Sequence, residues 1–142
     1  MTLSLKQASQ ADLDYLLTLR KLTMTEHLER AGRFLTDAEH LDRVAYGLAH
    51  AHLLRVGSTT AGMIKYIAGD QQLDILQLQI HPQHQNQGLG RRVLEMLIQQ
   101  LSPDLVNLSV LKGNPAIALY QRMGFVVVAD EGDEWRMHLT LT

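Results

Sequence analysis

Gln85-Asn86-Gln87-Gly88-Leu89-Gly90 is the stretch whose reading decides the fold. It lies between a strand-like run ending at Ile80-His81-Pro82 and an amphipathic helical pattern that begins near Gly90. The first N–H groups of a helix have no partner inside it, and the helix dipole adds partial positive charge at that end. Glycines at 88 and 90 remove side chains that would hold a bulky anion away from the backbone. Strand, loop and helix start together predict a site for a phosphate-bearing ligand.

Working outward, Leu89, Val93, Leu97 and Leu101 recur at helical spacing, with Arg91, Arg92, Glu95 and Gln99 on other faces. Ser102-Pro103-Asp104 ends that helix. Leu105 to Leu111 is strongly β-forming, and a helical crossover makes it parallel to the strand expected over Leu73 to Ile80. On that earlier strand Gln77 and Gln79 share one face, and Leu76, Leu78 and Ile80 the other. Asn114 as N-cap and Pro115 in the first turn open a second helix with an apolar stripe of Ala116, Leu119, Tyr120 and Met123. Gly124 is its expected C-terminal cap. Phe125 to Ala129 and Trp135 to Leu141 read as closing strands around the acidic turn Asp130 to Glu134.

Upstream, Leu3, Leu5 and Gln7 alternate as a short strand, and Ser9 with Asp12 resembles a capping box before Leu13, Leu16 and Leu17. Thr36 with Glu39 marks another helix start. Ala51 to Val56 and Ala61 to Ala68 form a hairpin around Gly57-Ser58-Thr59-Thr60, and Gly69-Asp70-Gln71-Gln72 turns into the strand that feeds the loop. The predicted order is β-α-α-β-β-β-α-β-α-β-β. This is an α/β (mixed α+β) sheet covered by helices, in a single domain over 1–142.

Composition narrows the function. With 142 residues, 46% apolar and 20% charged, the chain has the makings of a core without disulfides or metal. It contains no cysteine, so a covalent cysteine–acyl intermediate and thiolate metal sites are impossible. A net charge of −2 gives no footprint for nucleic acid. No apolar run approaches the ~18 residues of a membrane span. The start, Met1 to Lys6, lacks a signal-peptide pattern, so the cytoplasm is the expected location. His50 with His52, and His81 with His84, have no carboxylate completing a ligand set, and no metal is expected.

Three phosphate-binding readings compete for the loop. A P-loop needs Lys then Ser or Thr after its last glycine, but Arg91-Arg92 follows Gly90. A dinucleotide loop needs a third glycine, which is missing. In the third reading, Gln85, Gly88 and Gly90 match Gln/Arg-x-x-Gly-x-Gly/Ala, and the chain resembles the acyl-CoA loop of the GNAT superfamily of N-acyltransferases. It resembles that superfamily again at Asn114, Ala118, Leu119, Tyr120, Gly124 and Phe125, and at His81-Pro82 before the loop. The resemblance runs from about Leu73 to the C-terminus and is diffuse before that.

The resemblance implies a GNAT fold: a central mixed sheet with a splayed parallel pair, 73–80 and 105–111, and helices on both faces. Acetyl-CoA would enter the split as cosubstrate. Its binding residues would be Ile80, Gln85, Asn86, Gln87, Gly88, Leu89, Gly90, Arg91, Asn114 and Tyr120, with the pyrophosphate on the 85–90 loop. A backbone N–H of the strand before the loop would polarise the thioester carbonyl. Asn86 stands where the family commonly has glycine, and asparagine tolerates a left-handed backbone.

Tyr120 is the implied acid for the departing sulfur; its other reading is a buried helix aromatic. Asn114 has two readings, pantetheine contact and helix cap. Arg91 and Arg92 have two as well, CoA phosphates and a solvated helix face. Asp74 and Glu26 are the candidate general bases, each also readable as a solvent-facing charge; His27 lies beside Glu26. Deprotonation through water needs neither. The implied reaction is direct acetyl transfer to a primary amine of a small molecule or peptide. A non-catalytic acyl-CoA sensor is the alternative. Residues 20–40 and the C-terminal strands would choose the acceptor, with no diagnostic motif, and a homodimer through strand edges is compatible with the fold.

Overall fold

The computed structural model describes residues 2–141. Strand β1 (Leu3–Gln7) leads to helices α1 (Leu13–Arg30) and α2 (Asp37–Ala45). A meander of β2 (Ala51–Val56), β3 (Thr59–Ala68) and β4 (Gln72–Ile80) follows. Helix α3 (Leu89–Leu101), β5 (Leu105–Leu111), α4 (Ala116–Met123), β6 (Val126–Asp130) and β7 (Glu134–Thr140) complete the expected order. The strands form one sheet in the order β1-β2-β3-β4-β5-β7-β6. Among the described residues only β4 and β5 pair in parallel, as the helical crossover requires.

Local chemistry places the boundaries. The Ser9 N–H donates to Asp12 Oδ2 at 2.9 Å, but this box opens a short 3-10 turn, Gln10–Asp12, before α1 proper. Thr36 caps α2 reciprocally with Glu39, at 3.1 and 2.9 Å. The β2–β3 turn is tighter than expected: pairing runs to Val56 and Thr59, and Gly57 supplies a φ of +63°. Strand β6 begins one residue later than expected, after Phe125, which is buried in the core, and β7 begins one residue earlier, at Glu134, which pairs with Leu111 of β5. Leu101 is 41% exposed, so the apolar stripe of α3 closes with Leu94 and Leu97 instead.

Alternation along β2 and β3 separates two cores. Leu53 and Met63 face Leu16 and Leu19 of α1 and Val44 of α2. Leu54 and Ile64 face the other way, toward Val93, Leu94 and Leu97 of α3 and Met137 of β7. Helices therefore cover both faces, and each strand residue in the centre is committed to one layer.

One expectation about β4 changes. Leu73 and Ile75 lie in the α3 core, and Leu78 and Ile80 pack against the same cluster, so the alternation slips once between them. The register with β3 shifts at that place: Lys65 faces Gln77 and Tyr66 faces Ile75. An extra residue in β4 makes a β-bulge, and Leu76 leaves the face of Leu78 and Ile80 to join Gln77 and Gln79. The pairing of β4 with β5 stops at Ile75 and Leu108, beside the bulge. Past that point the two strands part.

Candidate active site

The split between β4 and β5 opens into two cavities that share Met24, Leu78, Gln79, Asn114 and Tyr120. The first, about 340 Å³, is bounded by the glycine loop, the end of β4, the start of α4 and the middle of α1. The second, about 400 Å³, lies under α1 and α2 against the bulge and the end of β5. Residues at the shared wall touch whatever crosses from one to the other.

The loop is built for its conformation. Asn86 and Gly88 are both left-handed, with φ of +63° and +77°. Asparagine is among the few side chains that accept this, which explains its place here. A Cβ at Gly88 would meet nothing, so its requirement is the backbone angle. Gly90 has a different reason: a Cβ there would lie 3.1 Å from Leu119 Cδ2, so its small size lets α3 start close against α4. The Gln85 amide donates to the Ile80 carbonyl at 2.9 Å and ties the loop back to the strand end. The His81 imidazole accepts from the Gln83 N–H at 3.1 Å and fixes the intervening turn.

Backbone direction in β4 follows from two contacts. The His81 N–H donates to the Ala61 carbonyl, toward β3. Successive peptide groups of a strand point to opposite sides, so the Leu78 and Ile80 N–H groups point into the gap where β5 has left. Gly62 of β3 is packed so closely that a Cβ would stand 2.2 Å from the Gln79 carbonyl oxygen. That contact holds this part of β4 in place.

Of the residues expected to bind cofactor, Ile80, Gln85, Asn86, Gly88, Leu89, Gly90, Arg91, Asn114 and Tyr120 line the first cavity. Gln87 is exposed and outside its lining. Arg91 pairs with Glu95 at 3.3 Å along α3. Thr23, Met24, His27, His84 and Arg122 also line it. Packing of α1 and α4 on the split brings Thr23, Met24, His27 and Arg122 there, and His84 comes with the short turn before the glycine loop.

Tyr120 is 6% exposed, with its ring tilted against Phe125 at 5.6 Å between centroids. Its hydroxyl has no protein partner among the described residues, and burial pushes its pKa up to about 12. Asn114 does not sit at the formal N-cap, which Pro115 occupies. Its Oδ1 nevertheless accepts from the Ala116 N–H at 2.9 Å, so the carbonyl end caps α4 and leaves the Nδ2 end available to the cavities.

The two candidate bases lie elsewhere. Asp74 stands on the closed stretch of the sheet, before the strands part, and lines neither cavity. Its carboxylate accepts from Gln72 at 2.8 Å and Asn107 at 3.2 Å. Glu26 faces out from α1 in an i,i+4 pair with Arg30, its side chain 75% exposed. Helical phase explains the difference: Met24 and His27 share the inward face, and Glu26 projects outside it. The only carboxylate lining either cavity, among the described residues, is Glu134.

A mixed seven-stranded sheet split at its parallel pair, with a glycine loop at the mouth, is the fold that the motif resemblance implies. The family model described as the acetyltransferase (GNAT) domain matches residues 23–139, and the chain belongs to that family. Among solved structures it is similar to an acetyltransferase from Thermus thermophilus, at 24% identity and a TM-score of 0.81, covering 99% of this chain and 98% of that one. The PaiA N-acetyltransferase of Thermoplasma acidophilum, solved with coenzyme A, is similar at 16% identity and a TM-score of 0.76, over 99% and 100% of the chains. The ribosomal-protein-S18-alanine N-acetyltransferase of Escherichia coli is similar at 20% identity and 0.72, over 99% and 95%. These likenesses show the fold. No curated protein matches at the sequence level. No helix among the described residues is long and apolar enough to cross a membrane.

Proposed function

We propose that the chain transfers an acetyl group from acetyl-CoA directly to a primary amine. The observation that carries this reading is Tyr120: buried, without a protein partner for its hydroxyl, and lining both cavities where they share a wall. A buried phenol normally finds a partner. Here the side chain lines both cavities, where a bound group can take that place.

In this reading acetyl-CoA fills the first cavity. Its pyrophosphate takes the N–H groups of the 85–90 loop at the start of α3, with Arg91 and Arg122 nearby. The thioester reaches the parting of β4 and β5, where the Leu78 and Ile80 N–H groups are free to polarise its carbonyl. The amine enters from the second cavity as the free base, its first proton lost through water, since neither Asp74 nor Glu26 reaches the cleft. Attack forms the C–N bond and a tetrahedral intermediate; the C–S bond then breaks. For each ammonium acetylated, one proton goes to the CoA thiolate and one to solvent.

Tyr120 keeps its own proton at neutral pH and offers it as a hydrogen bond to the departing sulfur. Complete transfer to a thiolate of ordinary pKa, ~8.5, is uphill. The hydroxyl therefore hands on a proton only as it receives the one released by the amine. Single-unit organisation over 1–142 and location in the cytoplasm belong to the same reading. So does pairing through the β6 edge, where Val126, Val127 and Val128 are exposed.

The test is acetyl transfer across an amine panel, with acetyl-CoA affinity measured in parallel. Tyr120→Phe is expected to lower kcat about 10²-fold or more with little change in acetyl-CoA affinity. Tight binding with no transfer to any amine would replace this reading with a non-catalytic acyl-CoA sensor.

A further inference from the structure

The second cavity carries a charge pattern that acetyl-CoA does not explain. Arg20, Arg33 and Arg43 all line it, against the single carboxylate of Glu134. Arg20 comes from the middle of α1 and is 5% exposed, a degree of burial that arginine tolerates only when its guanidinium is satisfied. Its one side-chain hydrogen bond among the described residues runs from Nε to His40 Nδ1 at 3.1 Å. Neither Arg20 nor Arg43 has a carboxylate within ion-pair distance among the described residues.

The other cations nearby do not relieve this. Arg33 is held by Asp133 at 2.6 Å and by Glu134 at 3.9 Å, which uses the acidic groups of the β6–β7 turn. Lys65 is 3% exposed and gives its ammonium to the carbonyls of Tyr46 at 2.6 Å and Arg43 at 3.3 Å. Burial, then the neighbouring charges of Arg43 and Arg33, pull the Arg20 guanidinium below its ordinary pKa. Positive charge thus accumulates on one wall, in a chain whose net charge is −2.

His40 explains how the arrangement is held. It is 3% exposed, burial keeps its pKa below the usual histidine value, and its neutral Nδ1 accepts from Arg20. That bond uses the inner edge of the guanidinium and leaves the terminal Nη groups for the cavity. A planar fork of this kind matches a carboxylate in two parallel hydrogen bonds.

We infer that the acceptor amine carries a carboxylate, which binds Arg20 with help from Arg43 in the second cavity while its amino group reaches the split at Tyr120. This rests on the acetyl-transfer reading and adds the acceptor's class: an amino acid or another amine with an acid at its far end. The preference would come from electrostatics as well as shape. An uncharged or cationic amine of the same length would leave the buried guanidinium unpaired or oppose it.

The test uses a series of unbranched ω-amino acids, glycine through 6-aminohexanoate, each beside its carboxamide. Acetyl transfer is assayed with all of them, and binding of their N-acetyl products to the CoA-loaded protein is measured by calorimetry. At least one acid is expected to exceed its amide tenfold or more, in kcat/KM and in product affinity. Arg20→Met should erase that margin, and Arg43→Met, an exposed change that leaves the core intact, should narrow it. If acids and amides react equally well, or amides better, the carboxylate proposal falls and acetyl transfer stands. Arginine-dependent binding of the N-acetyl acids with no transfer of any kind would uphold the anion site and overturn the enzymatic reading. Equal or absent binding across the whole series, with the variants unchanged, would overturn the inference.

Discussion

Ile75 and Leu108 are the last register partners between the parallel strands β4 and β5; beyond them the strands separate and two cavities fill the gap. The β-bulge at the next residues of β4 is the physical cause nearest to hand, since an unpaired extra residue bends its strand and increases twist. The separation frees backbone donors that a continuous sheet would have used. It also brings Tyr120 of α4 to the floor of the split.

The Tyr120 hydroxyl should make stability fall in alkali. Its pKa rises from an ordinary 10.0 to about 12 on folding, so the native state holds the proton more tightly than the unfolded chain. The contribution is fully present below pH 10 and is lost as pH rises through the folded value, by up to ~3 kcal/mol. Melting of wild type and Tyr120→Phe between pH 9 and 11.5 checks this. The wild type should lose stability faster, and parallel curves would refute the assignment.

His40 gives the opposite limb. Its pKa is lowered by burial, so the unfolded chain binds the extra proton more readily than the native state. Stability is present above the ordinary value near 6.5 and is lost as pH falls through the folded value. Protonation also removes the lone pair that accepts from Arg20. His40→Gln should flatten the acid limb of a Tm–pH curve between pH 7 and 5; an unchanged slope would show that other groups set it.

Glycine replacements should separate sharply by position. Gly62→Ala places a Cβ 2.2 Å from the Gln79 carbonyl oxygen, a backbone atom that cannot swing away. A loss of ~3 kcal/mol or more is expected. Gly88→Ala meets open space and bears only the cost of its left-handed angle, about 1–2 kcal/mol. Urea denaturation of both proteins ranks them, and a Gly88 variant as unstable as the Gly62 one would contradict this account.

Asn114 should show two separable roles. Asn114→Ser retains a capping oxygen for the Ala116 N–H, whereas Asn114→Ala loses it at about 1 kcal/mol. If the Nδ2 end contacts the cofactor, both variants lose acetyl-CoA affinity alike. Affinity preserved in the serine protein would leave Asn114 as a cap alone.

Much of this was legible along the chain. Periodicity gave the order of strands and helices, because alternation and helical spacing are imposed by the backbone itself. The glycine loop was legible because left-handed angles restrict residue choice at Asn86 and Gly88. The candidate bases were not. Asp74 and Glu26 have suitable chemistry, but a half-buried strand position and the outer phase of α1 carry no mark of their distance from the split. The bulge was equally silent, since Leu76-Gln77-Leu78 alternates without a break in composition.

The sequence by itself determined the element order, the left-handed glycine loop and the family resemblance, all of which depend on residues near one another in the chain. Only the tertiary structure decided where the sheet splits, which peptide groups face the gap, and that Arg20, Arg33 and Arg43 meet in one cavity. Those facts arise from register, from the phase of α1, and from the packing of α1 and α2 over a bulged strand. Such long-range relationships are set by how two distant surfaces fit, and no local pattern records them.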